Sequence, residues 1–427
     1  MKNYFLAILF SGIFTTSFSQ WSQVGTNNVN NTVQSMFTDT INNLLYMGGD
    51  FTVTGTRIQS WNGTSYTTLG SGMDSPVYCY CIYNNELYVG GNFTTAGGTP
   101  CNKIAKWTGT VWQPLGVGVN NNVYALAVYG GELWVGGSFN SAGGNQSYNL
   151  AKWNGSAWTA MGTNTGGPIR SFLVYNGELY AGGGFNAVQG VPASNIAKWN
   201  GSIWSAMGQG MNSIVLTLKN YNGEVYAGGQ FTTADGNPTN YIAKWTGATF
   251  NAVDGGMDNW VYSLDVLSGK LYAGGLFVTS GTATTNHVGA YNGTSWAATD
   301  INGTNNVVYS VAKYGTHLYV GGNFTLAGGA FAFYIAKWFP LFTAENEFNS
   351  DFNFSVHPNP TSGIIMLSEV EESSQVSILN SIGELILTRK IILGENEIDL
   401  SELTYGIYFI KLETKGGGVV VKKIIKH

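Results

Sequence analysis

The sequence predicts an all-β protein: a seven-bladed β-propeller closed by an N-terminal outer strand, followed by a small C-terminal β-sandwich. Three observations carry that reading. A Gly-Gly pair followed two residues on by Phe recurs at Gly48-Gly49, Gly90-Gly91, Gly136-Gly137, Gly182-Gly183, Gly228-Gly229, Gly274-Gly275 and Gly321-Gly322, about 46 residues apart. Each copy is too small to bury its own apolar face, so the copies must stack around a closed array. Glycine (59), tryptophan (13) and tyrosine (24) are abundant while charged residues make up 10%, a composition of turn-rich β proteins outside the cell. After Trp338 tryptophan stops and charge rises, which marks a second unit.

The copy from Val123 to Gly162 justifies the strands one by one. Val123 to Tyr129 alternates as strand A, Gly130-Gly131 turns, and Leu133 to Phe139 returns as strand B. Leu150 to Trp153 is strand C, Asn154-Gly155 reads as a two-residue type I′ hairpin, and Trp158 to Gly162 is strand D. The last copy lacks that hairpin, because Trp338 is followed by Phe339-Pro340, and proline neither fits the turn nor donates to a ladder. Trp21-Ser22-Gln23-Val24-Gly25 matches Trp158 to Gly162 position for position. The N-terminal segment therefore supplies the missing strand D.

Glu86, Glu132, Glu178 and Glu224 open strand B in the copies that carry Lys106, Lys152, Lys198 and Lys244 on strand C. Where the Glu becomes Lys270 the Lys becomes Ala290, so the recurring lysine reads as one half of a cross-strand ion pair rather than as a basic binding stripe. Opposed positions on strands B and C are expected for each pair.

The apolar strand, the Gly-Gly, the aromatic ending strand C and the Trp of strand D resemble the kelch and galactose-oxidase type of propeller repeat, from Gln20 to about Trp338. That resemblance implies the fold, not an activity. A copper set of Tyr, Cys and His ligands is not expected, since His287 and His317 lie in separate copies. Cys79, Cys81 and Cys101 fall within one copy; a disulfide, if formed, joins Cys101 to one of the other two, and no His completes a zinc site. No metal and no cofactor are expected.

Residues 1–19 begin with Lys2, run through an apolar stretch of about 11 residues from Tyr4 to Phe14 and end in Ser17-Phe18-Ser19. They read as a signal peptide cleaved before Gln20, being short of the roughly 20 residues of a membrane anchor. The propeller is expected over 20–338, a linker over 339–351 and the second unit over 352–427. Its His357-Pro358-Asn359-Pro360-Thr361-Ser362-Gly363, Ile398 to Leu403, Gly406-Ile407-Tyr408-Phe409 and closing Lys422-Lys423-Ile424-Ile425-Lys426-His427 resemble the C-terminal type A sorting domain of the type IX secretion system. The resemblance implies passage through the periplasm and across the outer membrane, with the secretion machinery as partner. Pro358, Asn359, Pro360, Gly363, Gly406, Tyr408, Lys422, Lys423 and Lys426 would carry the sorting signal.

A net charge of −5 leaves no basic face for nucleic acid. Strands alternate direction, so the A–B and C–D turns share one face, while the longer B–C loops and D–A connections share the other, where recognition is expected. Asp235, Asp254, Asp258 and Trp260 approach that face in the fifth and sixth copies and are the candidate ligand site for a glycan or a surface protein. The plain alternative is a solvated loop with a packing Trp. The sequence holds no Gly-x-Ser-x-Gly, His-Glu-x-x-His or phosphate loop, so no catalytic residue is assigned. A polysaccharide-processing enzyme, with Asp254 and Asp258 as the acid pair, and a purely structural surface component are the other readings.

Overall fold

The computed structural model describes residues 20–339 apart from 26–28, 54–55, 162–164 and 300–302, and residues 354–427 apart from 371–373, 381–384, 392–393 and 414–418. The expected signal peptide and nearly all of the expected linker lie outside the described residues.

All described regular structure is β, apart from a single short 3₁₀ position at Val53. Up to Trp338 the described strands form seven four-stranded antiparallel sheets and six two-stranded ones, and in each of the seven A pairs with B, B with C and C with D. In the third sheet these are Val123–Tyr129, Glu132–Gly137, Leu150–Trp153 and Trp158–Ala160. In the seventh, Val308–Tyr314, His317–Gly322 and Ile335–Trp338 come from one stretch of chain, and strand D is Trp21–Gln23, with Trp21 opposite Trp338 and Gln23 opposite Ala336. The N-terminal strand sits where the sequence placed it. Trp21 is 3% exposed and its ring lies 6.3 Å from that of Trp338.

Each A strand packs against the A strand of the next sheet, and that of the seventh packs against Val33–Asp39 of the first. Three repeated contacts hold neighbours together. The Tyr ending strand A donates its hydroxyl to a carbonyl in the A–B turn of the following sheet: Tyr129 to Gly177, Tyr175 to Gly223, Tyr221 to Gly269, and Tyr314 of the seventh sheet to Asn43 of the first. Strand D aromatics reach back, Trp112 Nε1 to Leu69 O and Trp158 Nε1 to Leu115 O, and Tyr66 of the first sheet bonds Val24 O beside the N-terminal strand in the same way. The Gly-Gly pair makes room for the third. A Cβ on Gly321 would lie 2.5 Å from Val33 of the first sheet, and one on Gly136 2.7 Å from Ile169 of the fourth, so only glycine lets adjoining sheets approach this closely. The interfaces are apolar: one cluster joins Val33, Leu45, Met47 and Phe51 of the first sheet to Ala312, Tyr314 and Tyr319 of the seventh.

Two local expectations are corrected. The type I′ geometry belongs to the A–B turns of the second to sixth sheets, where both central residues have positive φ, as at Asn176 (50°) and Gly177 (74°). At the C–D turn Trp153 pairs with Trp158, Asn154 N–H bonds Ala157 O, and of the turn residues only Gly155 has positive φ, the pattern of a type II′ turn at Gly155-Ser156. Asn154 stays at ordinary φ because its Oδ1 accepts from the Ser156 and Ala157 amides. The ion pairs form, with Nζ to carboxylate distances of 2.8 Å (Lys106–Glu86), 2.6 Å (Lys152–Glu132), 2.9 Å (Lys198–Glu178) and 2.9 Å (Lys244–Glu224). They are diagonal rather than opposed: Lys106 faces Tyr88, two residues beyond Glu86.

Residues 354–427 form a three-stranded sheet, Ser355–His357, Ile364–Val370 and Gly394–Asp399, and a four-stranded one in the order Leu385–Ile391, Ser374–Asn380, Gly406–Glu413, Val419–Lys426. Both sheets share one core that includes Phe354, Ile365, Leu367, Ile378, Ile398, Ile410 and Ile424.

Candidate functional site

The residue after the first Val or Ile of every A strand is a β-bulge, skipped by the ladder to strand B in all seven sheets. A bulge turns a side chain out of the pleat's alternation. The seven residues so turned are Gln34, Tyr78, Tyr124, Arg170, Leu216, Tyr262 and Tyr309, and all line one cavity of about 380 Å³, together with Ile214 and Gln230. It lies where A strands begin and B strands end, the end that carries the B–C loops and D–A connections.

Aromatic faces dominate the wall. Tyr78 and Tyr124 stack with ring centroids 5.6 Å apart, and the Arg170 guanidinium lies 3.9 Å from the Tyr124 centroid. Across the cavity Tyr262 meets Tyr309 edge-on at 5.2 Å. Burial first, then Tyr124 and Asp50, push the Tyr78 phenol up against the pull of Arg170, and burial followed by Tyr309 raises Tyr262. Both phenols are therefore protonated and able to donate. Gln34 Nε2 donates to Asp50 at 2.6 Å, and Asp50 lies 3.9 Å from Arg57.

The carboxylates singled out in the sequence hold loops. Asp258 Oδ1 accepts from the amides of Val278 (2.8 Å) and Thr279 (3.1 Å), as Asp74, Asn120, Asn212 and Asn305 do at the same place in other sheets. Asp235 accepts from the amides of Gln209 and Phe250, and Asp254 from that of Trp296. Trp260 is 37% exposed and packs edge-on to Tyr262 at 6.2 Å, which brings it to the cavity's edge. The bulge residues went unnoticed in the sequence, though a signal is there: a large, variable residue between a constant Val or Ile and, in six of the copies, a small third residue.

The cysteines are three free thiols. Burial pushes Cys81 up to about 12 and Cys101 up to about 11. Cys79 takes the place of Ser35 one sheet earlier: Ser35 Oγ donates to Val77 O at 2.6 Å, and Cys79 Sγ lies 3.8 Å from Val123 O. Among the described residues no three His, Cys, Asp or Glu side chains gather as a metal site.

In the C-terminal unit the proposed signal residues converge. Asn359 donates to Lys423 O at 2.6 Å and accepts from the Ile425 amide at 2.9 Å, Lys426 Nζ donates to Ser362 O at 3.1 Å, and Gly406 pairs with Lys426. The Pro358-Asn359-Pro360 turn is thus tied to the final strand. Tyr408 bonds Thr404 O and pairs with Ile424, Gly363 O accepts from Leu400, and Lys422 lies over Phe354.

Residues 355–427 match the family model of the secretion system C-terminal sorting domain. The protein is a type IX secretion cargo, exported to the cell surface or released. The sorting domain implies involvement of the type IX secretion machinery. No curated protein matches the chain. Among solved structures, the extracellular domain of the putative hybrid two component system BT4673 from B. thetaiotaomicron is similar at 13% identity and a TM-score of 0.50, over 94% of this chain and 53% of that one. A second structure, of the putative one component system BT4673, gives 10% and 0.46, over 93% and 56%. PorZ, an essential bacterial surface component of the type-IX secretion system of Porphyromonas gingivalis, gives 13% and 0.37, over 93% and 66%. The chain spans little more than half the length of the BT4673 structures. Among the described residues no helix is long and apolar enough to cross a membrane.

Proposed function

We propose that residues 20–338 form one seven-bladed, kelch-like propeller closed by its N-terminal strand, delivered by a signal peptide over 1–19, and that it acts outside the cell as a carbohydrate-binding module. A linker over 339–351 joins it to the sorting domain over 352–427. The observation that carries the binding reading is the convergence of one bulge side chain from each A strand on a single cavity. Aromatic faces cover the apolar C–H face of a pyranose, and the phenols, Gln34 and Gln230 offer hydrogen bonds to its hydroxyls. Trp260 extends the platform at the rim, while Asp235, Asp254 and Asp258 shape the loops around it. Binding fits better than hydrolysis, which needs two carboxyl groups facing the ligand; among the described residues the side chains lining the cavity include none.

The test is a glycan array and polysaccharide pull-down with the exported chain and with Tyr124→Ala, Tyr262→Ala, Trp260→Ala, Asp254→Ala and Asp258→Ala. The aromatic variants should weaken binding by about tenfold or more, as expected of aromatic anchors that a ligand covers. The Asp variants should lose stability with little change in affinity. Affinity that follows the Asp variants and ignores Tyr124 and Tyr262 would place the ligand on the outer loops instead.

A further inference from the structure

Resting on that binding reading, we infer that the cavity selects an acidic saccharide, a hexuronic acid unit whose carboxylate pairs with Arg170. Among the described residues that line the cavity, Arg170 is the one charged side chain. Its Nε is shut off from solvent with no hydrogen-bond partner, and among the described residues no carboxylate pairs with its guanidinium. A buried donor without an acceptor is unfavourable, and a ligand carboxylate would satisfy the Nε–H and supply a counter-charge to the half-buried guanidinium with a forked pair of hydrogen bonds. Asp50, whose charge acts on the adjoining Tyr78, is held by Gln34 and lies beside Arg57. The stacking on Tyr124 fixes the guanidinium plane before any ligand arrives, so little ordering is left for binding.

The geometry favours a sugar acid over a simple anion. A phosphate or sulfate ion would leave most of the 380 Å³ and its tyrosine faces unused, whereas a pyranose uronate sets an apolar face, a hydroxyl edge and one negative charge against matching walls. Arg170 is then the specificity residue, and the tyrosines supply affinity common to neutral and acidic sugars.

The experiment measures calorimetric affinities of the full exported chain for disaccharides from polygalacturonate, alginate and glucuronan, each beside its carboxyl-reduced counterpart. The expected result is that at least one uronate binds about tenfold or more tighter than its reduced form, the margin of one charge-assisted pair. In Arg170→Met that margin should vanish, the uronate binding no tighter than its reduced form, and Arg170→Lys should keep part of it. Because Arg170→Met could perturb folding, the wild-type chain is also treated with phenylglyoxal, and the preferred uronate should protect Arg170 from modification. Equal affinity for acidic and reduced sugars with Arg170 unprotected would overturn the uronate assignment and leave the binding reading intact. Failure of every disaccharide, acidic and neutral, would overturn both.

Discussion

Cys79 shows how much one atom explains at the residue scale. Its sulfur stands where serine hydroxyls bridge neighbouring inner strands, as Ser35 does to Val77 and Ser310 to the Met36 amide. Cys79→Ser should therefore leave the denaturation midpoint unchanged or raise it, since the hydroxyl makes the same bridge over a shorter reach. The thiols, pushed up by burial, should resist Ellman's reagent in the folded chain and all three should react after denaturation. Tyr129→Phe removes one hydroxyl that joins two sheets and should cost about 0.5–1.5 kcal/mol in urea titrations. The sequence displayed these residues without their partners. The tyrosines lie slightly more than one repeat from the carbonyls they bond, and a bulge is invisible to a pattern search that assumes strict alternation, so the inward-facing Gln34, Tyr78 and Arg170 passed as ordinary strand residues.

Elements behaved more legibly, because Gly-Gly, strand alternation and turn residues are local signals. The four Glu–Lys pairs were readable by comparing copies, since Lys270 and Ala290 change together, but their diagonal register came from the ladder alone. Burial opposes ionisation of Glu178, yet the hydrogen bonds from Lys198 and Tyr180 outweigh it and hold its carboxyl below the usual range. A depressed carboxyl contributes stability that is complete above its unfolded pKa and is lost as pH falls through the folded value. Glu178→Gln should accordingly flatten the acid side of the stability–pH curve, measured by urea midpoints from pH 6 down to pH 3, and leave a loss at neutral pH of about 0.2–1 kcal/mol. Deleting residues 20–25 removes buried Trp21 and Val24, each a side chain whose burial is worth about 1.5–3 kcal/mol, and bares the edge of Ile335–Trp338. The expected outcome is a melting temperature lowered by many degrees, with aggregation, in a differential scanning experiment.

Over the whole molecule, the same contacts pass from sheet to sheet and return from the seventh to the first, and the sorting unit carries a core of its own. Removal of Lys422 to His427 takes away the strand that Asn359 holds, so the truncated protein should remain in the periplasm with its N-terminal sheets folded, as judged by fractionation and protease resistance. Normal surface display of that truncation would show that the final strand is dispensable for export. The repeat was legible because it is written in a short recurrent motif, and the export route because the motifs of the sorting domain are local stretches of sequence. The cavity was not, since it exists only where seven distant positions meet. One further consequence follows from the strand Ile335–Trp338, which is laddered on one side to His317–Gly322 and on the other to Trp21–Gln23. Tension applied to the chain beyond Trp338 runs along that strand, so both ladders are loaded in shear together rather than unzipped bond by bond. The seventh sheet would thus resist a pull on the tail through two ladders at once, at the point where the N-terminal strand is fastened to the last strand of the array.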